Sequence, residues 1–380
     1  MQKFWVSLQL RVTGNYCNLA CRYCSYGKHT ARIIMSDDIL DSAIRKLLAH
    51  NDQLAMCCWH GGEPTLAGIE FFERAVEKQQ QYAPAHFCVV NQIQTNGTLI
   101  TPDFATFFRT HRFGVGVSID GPASVHNAMR RDKGDNSTHK RAVRGIELLQ
   151  EAHVQPSVIA TVSRATLPFA RETFHFLVSL GIRQISYSPV FDSPTGEYPS
   201  ITNNEWFIYL RTVFHEWCSI GDARIQIREL NEVIAWMANV NHHCCNSLGT
   251  CAHWLVIDHD GEIYPCEKLN MSVRYGNIAT ETFNDVIASA THREFRLVNE
   301  TPPSRVSDMP LLSNVPEWLS SNENSQRKLR SAWPVRFLRT TQSAIRRSGI
   351  RIQPGINPSS RKEVMQLCAR NSSLSTPSWR

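Results

Sequence analysis

The sequence lacks any long apolar run. No stretch of its 380 residues approaches the roughly 20 consecutive apolar residues that a membrane-spanning helix needs. An apolar export signal is also missing, because Met1 to Val12 alternates as a strand does and carries Lys3 and Arg11 near its ends. The chain has 12 cysteines, which without an export signal indicate a reducing compartment and metal ligation rather than disulfides. We therefore expect a cytoplasmic, metal-binding protein that does not span a membrane.

A positive surplus is missing from the main body of the chain. The formal net charge is +6, but residues 302–380 hold 13 Lys+Arg against 4 Asp+Glu, whereas residues 1–301 hold 27 against 30. The basic tail contains no known nucleic-acid-binding module. The charge distribution therefore argues against nucleic acid as a partner.

Short β-branched runs alternate with longer amphipathic runs from Phe4 to about Val190. This alternation predicts parallel β/α units and an α/β fold. Six such units predict a partial (β/α)6 TIM-type barrel, open on one side, with its chemistry at the carboxyl ends of the strands. The predicted strands are Trp5–Val12, Leu54–Trp59, Cys88–Gln94, Gly114–Ile119, Ser157–Val162 and Gln184–Ser188. The predicted helices are Asp37–His50, Ile69–Tyr82, Pro102–Arg109, Thr138–Ala152 and Leu167–Leu180, with two more at Asn204–Cys218 and Arg228–Asn239.

Three cysteines follow the first predicted strand at C-x3-C-x2-C spacing: Cys17, Cys21 and Cys24. No fourth cysteine lies nearby, although structural zinc sites and electron-transfer iron–sulfur centres usually take four protein ligands. A cubane held by three thiolates leaves one iron open to a ligand that is not protein. A zinc knuckle with a distant fourth ligand is the open alternative.

This spacing resembles the signature of the radical S-adenosylmethionine (SAM) enzymes. The resemblance implies a [4Fe–4S] cluster whose open iron binds SAM, and reductive cleavage of SAM to a 5′-deoxyadenosyl radical. Gly61-Gly62-Glu63-Pro64, which alone could be an ordinary turn, resembles the family's GGE motif, whose glycines let the backbone approach a ligand. Gln94-Thr-Asn-Gly and Ser118-Ile-Asp-Gly-Pro are polar strand ends suited to a ribose or carboxylate pocket. The residues that the resemblance implies for SAM are Tyr23, Gly61, Gly62, Glu63, Ser118 and Arg130.

A second group of cysteines surrounds a predicted hairpin whose turn is Asp260-Gly261. Cys245, Cys251 and Cys266 are spaced as C-x5-C-x14-C, which resembles the SPASM extension of radical SAM enzymes that modify peptides and proteins. The resemblance implies that these three cysteines hold a possible auxiliary [4Fe–4S] cluster. SPASM extensions normally continue with more cysteines, but from Thr301 onward the chain has only Cys368.

The predicted domains are a radical SAM barrel at 1–200, a SPASM-like extension at 201–300 and a basic tail at 301–380. The tail is rich in Ser and Pro without helical or strand period, which predicts disorder. Because the resemblance ends abruptly near Phe295, translation of a shifted reading frame is a second interpretation of the tail.

Trp59-His-Gly-Gly-Glu-Pro-Thr-Leu and Gln94-Thr-Asn-Gly-Thr-Leu are most similar to anaerobic sulfatase-maturating enzymes, which oxidise a sulfatase cysteine or serine to formylglycine. The family's base is an aspartate directly after the third auxiliary cysteine, where this chain has Glu267. Glu267 is therefore the candidate base, and a salt bridge to Lys268 or Arg274 is the structural alternative. Expected partners are a protein or peptide substrate and an electron donor such as a flavodoxin or ferredoxin. Cross-linking or oxidation of a ribosomally made precursor peptide stays open, as does an inactive iron–sulfur protein from a truncated gene.

Overall fold

A computed structural model describes residues 5–24, 26, 31–190, 200–237, 254–267, 271 and 273–300. Within these residues one sheet runs in the order β10-β9-β8-β1-β2-β3-β4-β5-β6-β7. Its strands are β1 (Ser7–Arg11), β2 (Leu54–His60), β3 (Cys88–Thr95), β4 (Gly114–Ser118), β5 (Ser157–Val162), β6 (Gln184–Pro189), β7 (Gln226–Ile227), β8 (Trp254–Asp258), β9 (Glu262–Tyr264) and β10 (Gly276–Asn277).

The helices cover one face of this sheet and follow its strands in alternation. They are α1 (Asp37–His50), α2 (Ile69–Tyr82), α3 (Pro102–Thr110), α4 (Ala123–Met129), α5 (His139–Glu151), α6 (Ala170–Ser179), α7 (Asn203–Ile220), α8 (Arg228–Met237), α9 (Phe283–Ala288) and α10 (Ala290–Glu300), with 3-10 turns at η1 (Pro64–Ala67) and η2 (Leu167–Phe169). None of the described helices is both long enough and apolar enough to cross a membrane.

The predicted partial barrel is confirmed. Strands β1 to β6 lie side by side in chain order, and every neighbouring pair is parallel. The sheet stays open because β7 and β10 form its two edges. The short helix α4 was not predicted, because the preceding Gly121-Pro122 was interpreted as a turn and α4 has only seven residues.

The predicted hairpin around Asp260-Gly261 exists, but its place in the sheet was not predicted. Strand β8 pairs in parallel with β1, with Leu8 opposite Leu255 and Leu10 opposite Ile257, and β9 returns antiparallel to β8. The leucine and isoleucine side chains are buried, which favours this pairing. The C-terminal extension therefore continues the barrel sheet beside its first strand.

The two faces of the sheet differ in polarity. On β4, Val115 and Val117 are buried against the helices, while Gly114, Gly116 and Ser118 alternate with them on the inner face. On β3, Asn91 faces α2 and bonds to Gln79, so that Gln92 and Gln94 point to the interior. The apolar core lies between sheet and helices, and the barrel interior is polar.

Candidate SAM and cluster site

The three cysteines of the first motif lie in the loop that leaves the carboxyl end of β1, and all three are half-buried. The Cys24 N–H donates to the Cys21 carbonyl at 3.1 Å, and the Cys17 sulfur accepts the Leu19 N–H at 3.3 Å, so that the loop turns tightly at the cysteines. Among the described residues, only one group of three or more possible ligands has its ligand atoms all within 4.8 Å of one another, and it is Asp258, His259 and Asp260. Thiolates around one zinc ion would lie roughly 3.8 Å apart. At least two of the three thiols are therefore farther apart than two ligands of one zinc ion would be.

Burial keeps the thiols of Cys17 and Cys21 neutral until a metal replaces their protons. Burial, together with the nearby Glu63 carboxylate, raises the pKa of Cys17 to about 12. Burial also raises the pKa of Cys21 to about 12, although the Arg130 guanidinium opposes the shift. Because a thiol must lose its proton to ligate iron, cluster binding at this loop releases protons.

Glycines hold the cysteine loop by backbone contact. The Gly62 N–H donates to the Gly14 carbonyl at 2.8 Å, and the Glu63 N–H donates to the Tyr16 carbonyl at 3.0 Å. A Cβ on Gly62 would lie 2.0 Å from the Tyr16 carbonyl oxygen, so that only glycine fits there. The sequence predicted glycines that admit a ligand, and the structure adds that the close approach is made by the cysteine loop itself.

The Glu63 carboxylate joins three loops beneath the cysteines. Its side chain is fully buried and accepts hydrogen bonds from Thr65 N–H and Oγ1, from Thr95 Oγ1 at 2.7 Å and from Asn96 N–H at 2.7 Å. The side-chain nitrogen Nδ2 of Asn96 in turn lies 3.8 Å from the Cys17 sulfur. The role in binding SAM that the resemblance implies for Glu63 stays a prediction.

Asp120 organises the opposite side of the loop, and the sequence analysis did not single it out. Its Oδ2 accepts a hydrogen bond from Tyr23 Oη at 2.6 Å and lies 3.0 Å from Arg130 Nε, while its Oδ1 accepts the Thr161 N–H at 2.9 Å. The Arg130 contact is an ion pair rather than a directed hydrogen bond. Arg130 also lies over the Tyr23 ring at 5.4 Å. Two predicted SAM-binding residues are thus held by one buried carboxylate.

A buried histidine fixes the backbone of Asp120. His126 Nδ1 accepts the Asp120 N–H at 3.4 Å, and its Nε2 lies 2.9 Å from Thr138 Oγ1. Thr138 Oγ1 donates to the Arg130 carbonyl at 2.9 Å, so that the same histidine supports both members of the ion pair. Burial lowers the pKa of His126 to about 2, and the charges of Arg130 and His139 add to the shift. His126 is therefore neutral at neutral pH.

Ser118 ends β4 on the inner face of the barrel. Its Oγ accepts a hydrogen bond from Gln94 Nε2 at 2.9 Å. The Gln94 side chain crosses Gly116, where a Cβ would lie 2.2 Å from the amide oxygen. Ser118 is half-buried and keeps its own proton to donate, which is compatible with its predicted contact to SAM.

Glu267, the candidate base, follows β9 and reaches the inner mouth of the barrel. Gln9 Nε2 and Tyr26 Oη both donate to its Oε2, and His60 Nδ1 lies 3.2 Å from the same oxygen. Burial acts to raise the pKa of Glu267, but His60, Tyr26, Gln9 and Arg11 outweigh it, so that the pKa is lowered and the carboxylate is ionised at neutral pH.

The alternative interpretation of Glu267 was a salt bridge to Lys268 or Arg274, and it is wrong for Arg274. Arg274 pairs with Glu262 through a 2.8 Å hydrogen bond from Nη2, and Lys268 lies outside the described residues. His60 had no assigned role in the sequence, and its Nδ1 proves to lie beside the Glu267 carboxylate. Only the pairing of β8 with β1, far apart in sequence, brings these side chains together.

The predicted auxiliary site is described only in part. Cys245 and Cys251 lie outside the described residues, as does the tail from 301 to 380. Cys266 is half-buried just after β9, directly before Glu267. The auxiliary cluster therefore stays a prediction on all three cysteines.

Comparison with known proteins agrees with these observations. Residues 12–167 match the Radical SAM superfamily, and residues 245–307 match an iron–sulfur cluster-binding domain, SPASM. A serine-type anaerobic sulfatase-maturating enzyme of Klebsiella aerogenes is 30% identical over 295 residues, covering 75% of this chain and 73% of that protein. The chain belongs to the radical SAM superfamily. Its SPASM match runs to residue 307, beyond the point near Phe295 where the resemblance was expected to end.

Further relatives of this radical SAM protein carry the same description. A cysteine-type anaerobic sulfatase-maturating enzyme of Clostridium perfringens is 27% identical over 303 residues, covering 76% of this chain and 82% of that protein. The solved structure of native anSMEcpe with bound AdoMet superimposes with a TM-score of 0.73 at 26% identity, covering 78% of this chain and 84% of that one. The cofactors of this superfamily and of the matched domain are SAM and iron–sulfur clusters.

Proposed function

We propose that this protein cleaves SAM reductively and oxidises a side chain of a protein or peptide. The proposed reaction is of the type that converts a cysteine or serine of a sulfatase to formylglycine. One observation carries the proposal. Tyr26 lies two residues after Cys24, and its hydroxyl donates a hydrogen bond to the Glu267 carboxylate in the barrel mouth. The loop for radical generation and an ionised carboxylate are thus adjacent.

We propose that Cys17, Cys21 and Cys24 hold the radical SAM cluster, and that Cys245, Cys251 and Cys266 hold the auxiliary cluster. When bound, the first cluster would supply the electron that releases a 5′-deoxyadenosyl radical from SAM, and the auxiliary cluster would accept the electron that the oxidised substrate gives up. An external donor of the flavodoxin or ferredoxin type would reduce the first cluster. The relatives named sulfatase-maturating enzymes and the AdoMet-bound neighbour support this assignment.

The residues around the cysteine loop are suited to hold SAM. Arg130 uses Nε toward Asp120 and Nη2 toward Thr161, so that Nη1 has no acceptor within the described residues and can take a carboxylate. The half-buried hydroxyl of Ser118 faces the interior and can donate to the same cofactor. Tyr23 offers its ring, already oriented by Asp120. The backbone at Gly61 and Gly62 and the carboxylate of Glu63 complete the proposed pocket.

Oxidation of a serine or cysteine side chain to an aldehyde removes one Cβ hydrogen atom, one O–H or S–H proton and one electron. The hydrogen atom goes to the 5′-deoxyadenosyl radical. The Glu267 carboxylate supplies the negative charge that stabilises the departing proton in the barrel mouth. The domain division proposed with this function is a catalytic barrel at 1–200, the SPASM-like extension at 201–300 and the tail at 301–380.

The test uses the full chain, reconstituted anaerobically with iron and sulfide and supplied with SAM and dithionite. Peptides with a sulfatase-type cysteine or serine are added, and aldehyde is detected by hydrazine derivatisation and mass spectrometry. We expect both aldehyde and 5′-deoxyadenosine from the wild type. In Glu267→Gln we expect 5′-deoxyadenosine to persist while aldehyde formation falls about 100-fold, because the variant loses the negative charge beside the departing proton.

Glu77→Gln is the matched control, because Glu77 is exposed on α2. The control should behave as the wild type. Release of 5′-deoxyadenosine without aldehyde from either peptide would contradict the formylglycine assignment and favour a precursor-peptide modification. Absence of 5′-deoxyadenosine from a fully loaded protein would favour an inactive iron–sulfur protein.

A further inference from the structure

His60 occupies a position that the proposed function leaves without a role. It is the last residue of β2, it lies opposite Arg11 of β1, and its side chain is 23% exposed. Its Nδ1 lies 3.2 Å from Glu267 Oε2 and 3.5 Å from Tyr26 Oη. The imidazole is therefore anchored at one nitrogen, at the inner mouth of the barrel.

The other ring nitrogen is available. Nε2 of His60 has no hydrogen-bond partner within the described part of the chain, and it is not among the buried polar atoms that lack one. Glu267 is in the opposite situation, since its Oε2 already accepts hydrogen bonds from Gln9 and Tyr26 and lies 3.2 Å from His60 Nδ1. Two donors on one oxygen stabilise the ionised form and make that oxygen a poor proton acceptor.

We propose that His60 is the catalytic base of the reaction proposed above, and that Glu267 is its positioning residue. The inference rests on the proposed function. With the carboxylate on Nδ1, that nitrogen carries the hydrogen and Nε2 presents its lone pair to the substrate, because the partner of one imidazole nitrogen sets the state of the other.

The atoms and electrons balance in this assignment. The substrate O–H or S–H bond breaks and its proton moves to Nε2, while the Nδ1 hydrogen stays directed at Glu267. The Cβ hydrogen atom leaves to the 5′-deoxyadenosyl radical, and one electron leaves to an acceptor of the iron–sulfur class. The Cβ–O or Cβ–S bond becomes a double bond, and a thioaldehyde formed from cysteine is hydrolysed by water to the aldehyde and hydrogen sulfide.

The surroundings of His60 favour this role. Arg11 lies over the Tyr26 ring at 4.8 Å and forms an ion pair with Asp258 at 2.6 Å, so that its positive charge is already balanced. Cys58 lies on the same strand as His60, and its thiol is near Glu267. Burial raises the pKa of Cys58 to about 12, so that this thiol is neutral. Glu267 is thus the nearest anion to the imidazole among the described groups.

The first test is the variant His60→Gln, whose amide still donates to Glu267 but cannot take a proton. We expect aldehyde formation to fall at least about 100-fold while 5′-deoxyadenosine is still released. His215→Gln, an exposed histidine on α7, is the control and should leave both products unchanged. Aldehyde within threefold of the wild type in His60→Gln would overturn the inference and leave the proposed function standing.

The second test reads the imidazole directly in the substrate-free protein. Nitrogen NMR of histidine-labelled protein reports the tautomer, and the His60 signals are assigned as those missing from His60→Gln. We expect His60 to be the Nδ1–H tautomer at neutral pH in the wild type. In Glu267→Gln the population of His60 should shift toward the Nε2–H tautomer. An Nε2–H tautomer in the wild type would overturn the inference whatever the substrate. If the wild type gives no aldehyde from either peptide, the proposed function fails and the role of His60 fails with it.

Discussion

The buried Asp120–Arg130 pair allows a quantitative prediction about the loop that carries the cysteines. The Asp120 side chain is 0% exposed and that of Arg130 is 9% exposed. Asp120→Asn keeps the volume and the oxygen that accepts the Thr161 N–H, but it removes the charge opposite Arg130 and the acceptor for Tyr23 Oη. Removing one partner of a buried ion pair costs roughly 3–5 kcal/mol. Because the amide keeps one hydrogen bond, we expect the lower end, about 3 kcal/mol.

The assay is anaerobic urea unfolding of the metal-free protein, followed by tryptophan fluorescence at neutral pH. The comparison is Glu151→Gln, which breaks an exposed pair with Arg144 whose side chains are 59% and 54% exposed. Exposed pairs contribute roughly 0–1 kcal/mol, so that the two variants should differ clearly. We further expect Asp120→Asn combined with Arg130→Met to be more stable than Asp120→Asn alone, because no unpaired buried charge remains. A loss below 1 kcal/mol for Asp120→Asn would refute this account of the pair.

Two further predictions concern the same loop. Gly62→Ala places a Cβ against the Tyr16 carbonyl, which should cost about 1–3 kcal/mol in unfolding free energy and lower the iron bound per chain. In the control Gly134→Ala, the new Cβ meets the end of the exposed Asn136 side chain, and neither quantity should change. Equal iron content in the two variants would contradict this prediction. His126 has a pKa of about 2 in the folded protein, against an ordinary value near 6.5, so that the unfolded chain binds the proton more readily. The stability of the fold is therefore complete above pH 6.5 and declines as the pH falls toward 2. At pH 5 the loss is about 2 kcal/mol. Urea unfolding at pH 7 and pH 5 checks this, since His126→Gln should lose that part of the pH dependence, and an unchanged slope would contradict it.

Local patterns were sufficient to predict the barrel. The six strands and the helices between them agree with the sequence expectations to within one or two residues at most ends, because apolar periodicity is a local signal. Cys17, Cys21 and Cys24 could be singled out for the same reason, since their spacing lies within one loop.

The contacts around the site could not be predicted, because they depend on long-range pairing. Nothing in the sequence near Trp254–Asp258 indicates that this strand adds to Ser7–Arg11, and that pairing alone brings Glu267 to His60. Asp120 was overlooked because an aspartate before glycine and proline is equally typical of an ordinary turn. Its buried partners became visible only when the strand ends were placed side by side.

The central claim is that three cysteines hold a cluster with one iron left for SAM. Electron–nuclear double resonance of the anaerobically reconstituted, reduced protein tests it most directly, with SAM isotopically labelled at its amino nitrogen and carboxylate. We expect hyperfine coupling from both labels to the cluster, and loss of this coupling when Cys17, Cys21 and Cys24 are replaced by alanine. A fully loaded cluster that shows no coupling to labelled SAM, or that has a fourth protein ligand, would contradict it.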